Sequence, residues 1–302
     1  MADAPLDTAP FIQKEFDDGI AVSYNKRDLL TYAVGIGCSD LRFVYEHDFD
    51  FQAFPTYPVV LAFKGTDQDV VDFPSEAMQE TTSLPPLSGI RTVLDGERYI
   101  EKVRPLDVDG GELRLQQRLI GVHKRGSGAS IETESRLVDN DGNVFYKFIS
   151  GAFALGAKNF KDAGVSYSAK VPIPDRAPDK IEEFKTSPFQ AQIYRLSGDY
   201  NPLHIDPEQA TAFGFKKPIL HGLCSLGITV RAVLKAYADN DADRFKALKL
   251  RFSKPVIPGE TVVTEMWQEG NRIIFLGKVK ETGAVVINNS YVDLEPQESS
   301  RL

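Results

Sequence analysis

The sequence predicts an α+β fold in which two antiparallel sheets each wrap a long buried helix. Three observations carry this reading. The C-terminal part runs as one strongly apolar helical segment followed by four strand-like segments. The N-terminal half repeats that order more loosely, and a Pro- and Lys-rich stretch separates the two. The length, 302 residues, suits two domains or one domain built twice.

Taken in order, residues 28–37 read as a helix, followed by strand-like runs at 98–104, 112–122, 130–139 and 144–153. Asp109-Gly110-Gly111, Arg125-Gly126-Ser127-Gly128 and Asn140-Asp141-Gly142 mark turns between them. Residues 66–89 are polar and break the pattern, as a long functional or mobile loop does. Residues 1–155 therefore form an N-terminal repeat, 156–186 a linker and 187–302 a C-terminal repeat. In the latter, Asp206 reads as an N-cap, with Pro207 at N1 and Gln209 at N3 completing a capping box, and this short helix stops at Gly214. A second helix starts near His221-Gly222 and runs to about Tyr237, apolar on nearly every side and hence buried. Strands follow at 245–254, 261–268, 272–281 and 285–294. Arg104-Pro105-Leu106 with Gly111-Glu112 resembles Lys254-Pro255-Val256 with Gly259-Glu260, a trace of duplication. A helix wrapped by an antiparallel meander is the hot-dog plan, here doubled.

Composition narrows the function. Hydrophobic residues make up 42% and charged residues 26%, which supplies a core and excludes disordered, collagen-like and disulfide-scaffold chains. A net charge of -8 argues against general nucleic-acid binding, although locally gathered positive charge still admits a small polyanion. Cys38 and Cys224 lie far apart and form no metal-type pair. No secretory signal opens the sequence, and no apolar run reaches the roughly 18 residues of a membrane span. Ser300-Arg301-Leu302 is a variant of the S-K-L peroxisomal address, preceded by a polar segment, so a peroxisomal location and an import receptor as partner are expected.

The chemistry concentrates in YRLSGDYNPLHIDPEQA, residues 194–210. Asp199 and His204 are five residues apart, and Asn201 precedes Pro202, which pushes it out of helical conformation. The intervening chain is then a turn that can bring a carboxyl and an imidazole to one side. In KKPILHGLCSLG, Gly222 falls at the start of the buried helix, where N–H groups are unpaired and the helix dipole adds positive character. A glycine there lets a carbonyl approach closely, as in an oxyanion hole, although helix packing alone also explains it. His221 reads as a structural hydrogen-bonding residue or as a second base.

YRLSGDYNPLHID resembles the signature of the (R)-specific enoyl-CoA hydratase 2 family, which is MaoC-like. The resemblance extends through KPILHGLCSLG and RFKALKLRFSKPVIPGET, covers residues 20–294, and is nearest the hydratase 2 region of type 2 peroxisomal multifunctional enzymes. It implies a double hot-dog fold with catalysis in the C-terminal repeat and acyl-chain accommodation in the N-terminal one, and a homodimer. It implies that Asp199 and His204 form the acid/base pair around a water, that Asn201 orients them, and that the Gly222 N–H holds the thioester oxygen. Asp95, Gly96, Tyr200 and Phe252 correspond to positions contacting substrate or CoA, as does Lys124 or Arg125. Asp95 stands where the family has His, so of that dipeptide the glycine contact is the one retained. Tyr32 and Glu46 resemble family positions whose alternatives are core packing and a surface ion pair. Arg244, Lys246, Lys249 and Arg251 are available to the CoA phosphates. Neither a metal nor another cofactor is implied. The expected reaction is reversible hydration of trans-2-enoyl-CoA to (3R)-3-hydroxyacyl-CoA in fatty-acid β-oxidation. A hot-dog acyl-CoA thioesterase and a non-catalytic acyl-CoA-binding protein are the alternatives, and the complete Asp/Asn/His signature argues against both.

Overall fold

The computed structural model describes residues 4–79 and 84–296, so the Ser300-Arg301-Leu302 tail lies outside the described residues. The N-terminal half contains β1 (Ile20–Asn25), α1 (Lys26–Gly35), α2 (Leu41–Val44), a 3₁₀ turn (Tyr57–Val60), α3 (Leu61–Lys64), α4 (Glu76–Gln79), and the meander β2 (Thr92–Lys102), β3 (Gly110–Arg125), β4 (Gly128–Val138) and β5 (Val144–Leu155). β6 (Ala163–Gly164) and β7 (Lys180–Lys185) follow, then α5 (Gln190–Tyr194), α6 (Pro207–Ala212), α7 (Gly222–Tyr237), and β8 (Phe245–Phe252), β9 (Thr261–Glu269), β10 (Arg272–Val279) and β11 (Val285–Leu294).

The strands run in the order β1-β3-β4-β5-β2-β8-β11-β10-β9-β7. The second five mirror the first five position for position, which is the duplication expected from the Arg104-Pro105 and Lys254-Pro255 landmarks. Those landmarks are the β2–β3 and β8–β9 turns, with Leu106 and Val256 buried in them. The double hot-dog plan holds, with the two sheets continuous. β2 and β8 pair antiparallel, Glu97 opposite Arg251 through Glu101 opposite Ala247.

The eight strands expected from sequence are present, although β2 begins at Thr92, earlier than expected. β1 was not expected. β7 lies inside the stretch read as linker and pairs with β9, so residues 180–185 belong to the C-terminal sheet. α7 has the expected bounds and is buried along most of its length. Asp206 caps α6 by accepting from the N–H groups of Glu208 and Gln209, without the reciprocal bond from Gln209. α1 departs from the plan more. It is capped by a reciprocal Asn25–Asp28 box and is ten residues long, against sixteen for α7, so the described residues of the N-terminal half include no helix as long as α7.

The N-terminal half holds a cavity of about 230 Å³. Its roof comes from Pro58, Val59, Ala62, Phe63 and Met78, and its floor from inward-facing residues of β2–β5.

Candidate active site

The segment after α5 is built to expose two side chains. A 3₁₀ turn at Arg195–Ser197 ends on Gly198, whose φ of +126° disfavours any other residue. The chain then reaches Asp199, and Asn201 caps a second 3₁₀ turn, Pro202–His204, by accepting from the N–H of Leu203 at 3.0 Å. Pro202 suits the first position because its missing N–H would be unpaired there. The result is the non-helical turn expected from sequence, with the Asp199 and His204 side chains on one side. One side-chain polar atom from each of Asp199, His204 and His221 lies within 4.8 Å of the other two, and all three residues are buried.

Protonation states follow from partners. His204 Nδ1 lies 2.9 Å from the Ile219 carbonyl, an obligate acceptor, so Nδ1 carries the hydrogen and Nε2 keeps a lone pair. Burial lowers the His204 pKa to about 4, opposed by that carbonyl, so the ring is neutral at pH 7. Burial raises the Asp199 carboxyl to about 6, opposed by the Asn201 N–H at 3.3 Å, with nearby Asp95 raising it further and Arg98 lowering it. His221 Nε2–H donates to the Asp199 carbonyl at 3.1 Å, and its ring stacks on His204.

Gly222 is the first residue of α7, and no acceptor takes its N–H among the described residues. A Cβ built there would sit 3.5 Å from the Phe252 ring, an ordinary contact. Protein packing therefore does not demand glycine at this position. Asp95 and Gly96 sit at a bulge in β2, where a Cβ on Gly96 would approach the Gly151 carbonyl to 2.7 Å. Asp95 is held by Arg98 at 3.0 Å. Thus β2 brings the Asp95–Arg98 pair from the N-terminal half to Asp199 in the C-terminal half. Arg98 escaped the sequence reading because its influence depends on the β2–β8 seam, which no local pattern signals.

Other expected residues have partners of their own. Tyr32 is fully buried, its hydroxyl bonded to Thr56 at 2.8 Å, and its ring meets Tyr194, which in turn meets His221. Glu46 stands beside His47 at 3.5 Å, partly exposed, with no described contact to the Asp199–His204 pair. Tyr200 is buried under the Arg195 guanidinium, 4.7 Å from its ring centre. Lys124 lies over the Phe160 ring and Arg125 donates to Ser166 at 2.7 Å, at the far end of β3. The basic residues read as available to the CoA phosphates each have a partner within the chain. Arg244 donates to the Tyr237 carbonyl, Lys246 pairs with Glu295, Lys249 donates to the Tyr167 and Ala169 carbonyls, and Arg251 pairs with Glu97 and Ser168.

The three clustered residues offer donors of the kind that bind metals. One nitrogen of each ring is already bonded to a carbonyl, and the rings stack at 3.7 Å with planes 29° apart. An ion in the plane of one ring lies out of the plane of the other, so the arrangement fits acid–base chemistry better than coordination.

The chain is similar to known proteins along most of its length. Residues 22–156 match the MFE-2 hydratase 2 N-terminal domain family and residues 169–290 the MaoC like domain family. The chain is 44% identical to mouse peroxisomal multifunctional enzyme type 2, over 91% of its own length and 37% of that protein. It thus spans little more than a third of that relative. It is 37% identical to Arabidopsis thaliana peroxisomal enoyl-CoA hydratase 2, covering 92% of each chain. A MaoC-like dehydratase structure from Phytophthora capsici superposes with a TM-score of 0.88 at 46% identity, covering 96% of this chain and 98% of that one. A Mycobacterium tuberculosis protein described as a double hotdog fold superposes with a TM-score of 0.57 at 12% identity, covering 92% and 94%, which bears on fold alone. With both domain families matched in order across the two halves, the chain belongs to the MaoC-like enoyl-CoA hydratase 2 family.

Proposed function

We propose that the protein is an (R)-specific 2-enoyl-CoA hydratase, a hydro-lyase that reversibly adds water to trans-2-enoyl-CoA to give (3R)-3-hydroxyacyl-CoA. The observation that carries this reading is the buried Asp199–His204 pair beside the unpaired N–H of Gly222. Hydration needs a held water, a group that relays its proton, and a donor to the thioester oxygen, and these residues supply them.

His204 Nε2 accepts one hydrogen bond from the water and the Asp199 carboxylate accepts the other. As the water oxygen attacks C3, its proton passes to Asp199 and the electron pair of the double bond moves toward the thioester oxygen. The Gly222 N–H and the N-terminus of α7 stabilise that oxygen. Asp199 then returns the proton to C2 from the same face. Asn201 holds the turn and the carboxylate. The acyl chain enters the N-terminal cavity, past Arg98. The peroxisome is the proposed location, in line with the mouse and Arabidopsis relatives, both named peroxisomal. A homodimer and an import receptor acting on the Ser300-Arg301-Leu302 tail complete the proposal.

The test is loss of enoyl-thioester ultraviolet absorbance with crotonyl-CoA. Asp199→Asn and His204→Gln should each slow it by about 10²–10⁴-fold. Undiminished turnover in either correctly folded variant would remove that residue from the mechanism, and release of free CoA thiol would favour a thioesterase.

A further inference from the structure

The cavity in the N-terminal half has a floor that an unsubstituted hydrocarbon chain does not explain. Inward-facing positions of a sheet over a buried space are normally apolar. Here Gln117 on β3, Ser135 on β4, Ser150 on β5 and Arg98 on β2 line the cavity beside Ile100, Leu115 and Phe148. Register makes these one patch: Gln117 pairs with Ser135, and Ser150 pairs with Arg98. The side chains of Gln117, Ser135 and Ser150 have no protein hydrogen-bond partner among the described residues. Arg98 is different, since Asp95 holds it.

A chain of bare methylenes covering these groups would take them from water and offer nothing in return, which disfavours its binding. A chain carrying an oxygen would satisfy them. Resting on the hydratase reading, we propose that this cavity selects enoyl-CoA substrates whose acyl chain bears a neutral oxygen function, a hydroxyl or ketone, toward its distal end. The distal position follows from the sheet. Arg98 lies next to the seam and to Asp199, whereas Ser135 and Gln117 lie two and three strands away, roughly 10 and 14 Å at the usual strand spacing. The neutral charge follows from Arg98 being paired, which leaves no free cation for an ω-carboxylate. The volume sets the length. A cavity of about 150 Å³ accommodates benzene, so 230 Å³ takes a chain segment of roughly nine carbons.

The test compares trans-2-decenoyl-CoA with its ω-hydroxy derivative, by hydration rate and by calorimetric binding of the corresponding saturated acyl-CoAs. The wild-type protein should favour the hydroxylated ligand by about tenfold in both measurements, the effect of one satisfied hydrogen bond. Ser135→Ala with Gln117→Leu should abolish or reverse that preference, the plain chain gaining. Ser135→Ala alone, the smaller change, should reduce it. Equal binding of the two ligands by the wild type, or a preference that survives both substitutions, would overturn the proposal, and so would tighter binding of an ω-carboxyl chain. Crotonyl-CoA hydration by the wild type judges the hydratase reading separately. The binding ratio decides the cavity's role even if no turnover is seen.

Discussion

His221 lies face to face with His204, ring centroids 3.7 Å apart, while its Nε2–H holds the backbone carbonyl of Asp199 at 3.1 Å. One buried residue thus touches both members of the candidate pair through different interactions. The same residue begins the turn into α7, immediately before Gly222. Its other nitrogen, Nδ1, is buried without a partner among the described residues, and burial pushes its pKa well below the usual histidine range. It is neutral at pH 7 and is read as a positioning residue rather than a second base.

His221→Phe keeps the ring stack and removes the bond to Asp199. Losing one buried hydrogen bond should lower kcat by about tenfold, with KM little changed. Steady-state kinetics with crotonyl-CoA checks this, and a kcat loss as large as that of His204→Gln would make His221 a participant in proton transfer instead.

Asp199 should destabilise the fold while serving the reaction. Its folded pKa, about 6, is raised from the ordinary 3.8 because burial penalises the charged form. The unfolded chain therefore ionises first as pH rises, and stability falls between about pH 4 and 6 and stays reduced above. Asp199→Asn should then be more stable than the wild type at pH 7, by an amount on the order of 3 kcal/mol at most. The gain should shrink below pH 6 and vanish near pH 4. Denaturant melts across that range measure it, and a variant less stable than the wild type at pH 7 would contradict the assignment.

The charges donated across the seam should tune the pH profile. Ionised Asp199 is the active form, so kcat/KM falls as pH drops through about 6. Asp95 raises that pKa and Arg98 lowers it. Asp95→Asn should move the acidic limb to lower pH, and Arg98→Met should move it to higher pH. Limbs that stay fixed in both variants would separate this pair from the site.

Gly222→Ala should fold normally, since its Cβ meets Phe252 at ordinary contact distance. It should nonetheless lower kcat by about tenfold or more by crowding the thioester oxygen away from the N–H. Unchanged kinetics with unchanged melting would assign Gly222 to packing.

Much of this was legible in the chain itself. α7 and its capping region, the eight meander strands, and the Asp199-to-His204 turn all follow from strong local signals: a helix apolar all round, Gly and Pro punctuation, and Asn201 before Pro202. What was not legible depends on contacts distant in sequence. The sheet fusion rests on β2 meeting β8, and neither strand's alternation names its edge partner. β7 alternates weakly because it is an edge strand with mostly polar residues, so its segment read as linker. The basic residues of β8 looked free because their acceptors, Glu97 and the carbonyls of Tyr167 and Ala169, come from far earlier in the chain. The cavity of the N-terminal half could not be foreseen, because volume is a property of the packed whole.

The central claim is that Asp199, His204 and one water act on a single face of the enoyl group. Both side chains come from one short turn, so oxygen and proton must arrive from the same side, and Gly222 fixes the carbonyl that decides which side is presented. The decisive measurement is hydration of crotonyl-CoA in deuterated water, with chiral analysis of C3 and assignment of the label at C2. The expected product is (3R)-3-hydroxybutyryl-CoA with deuterium at C2 syn to the C3 hydroxyl, formed equally well in the presence of EDTA. A (3S) product, or deuterium placed anti, would contradict the account.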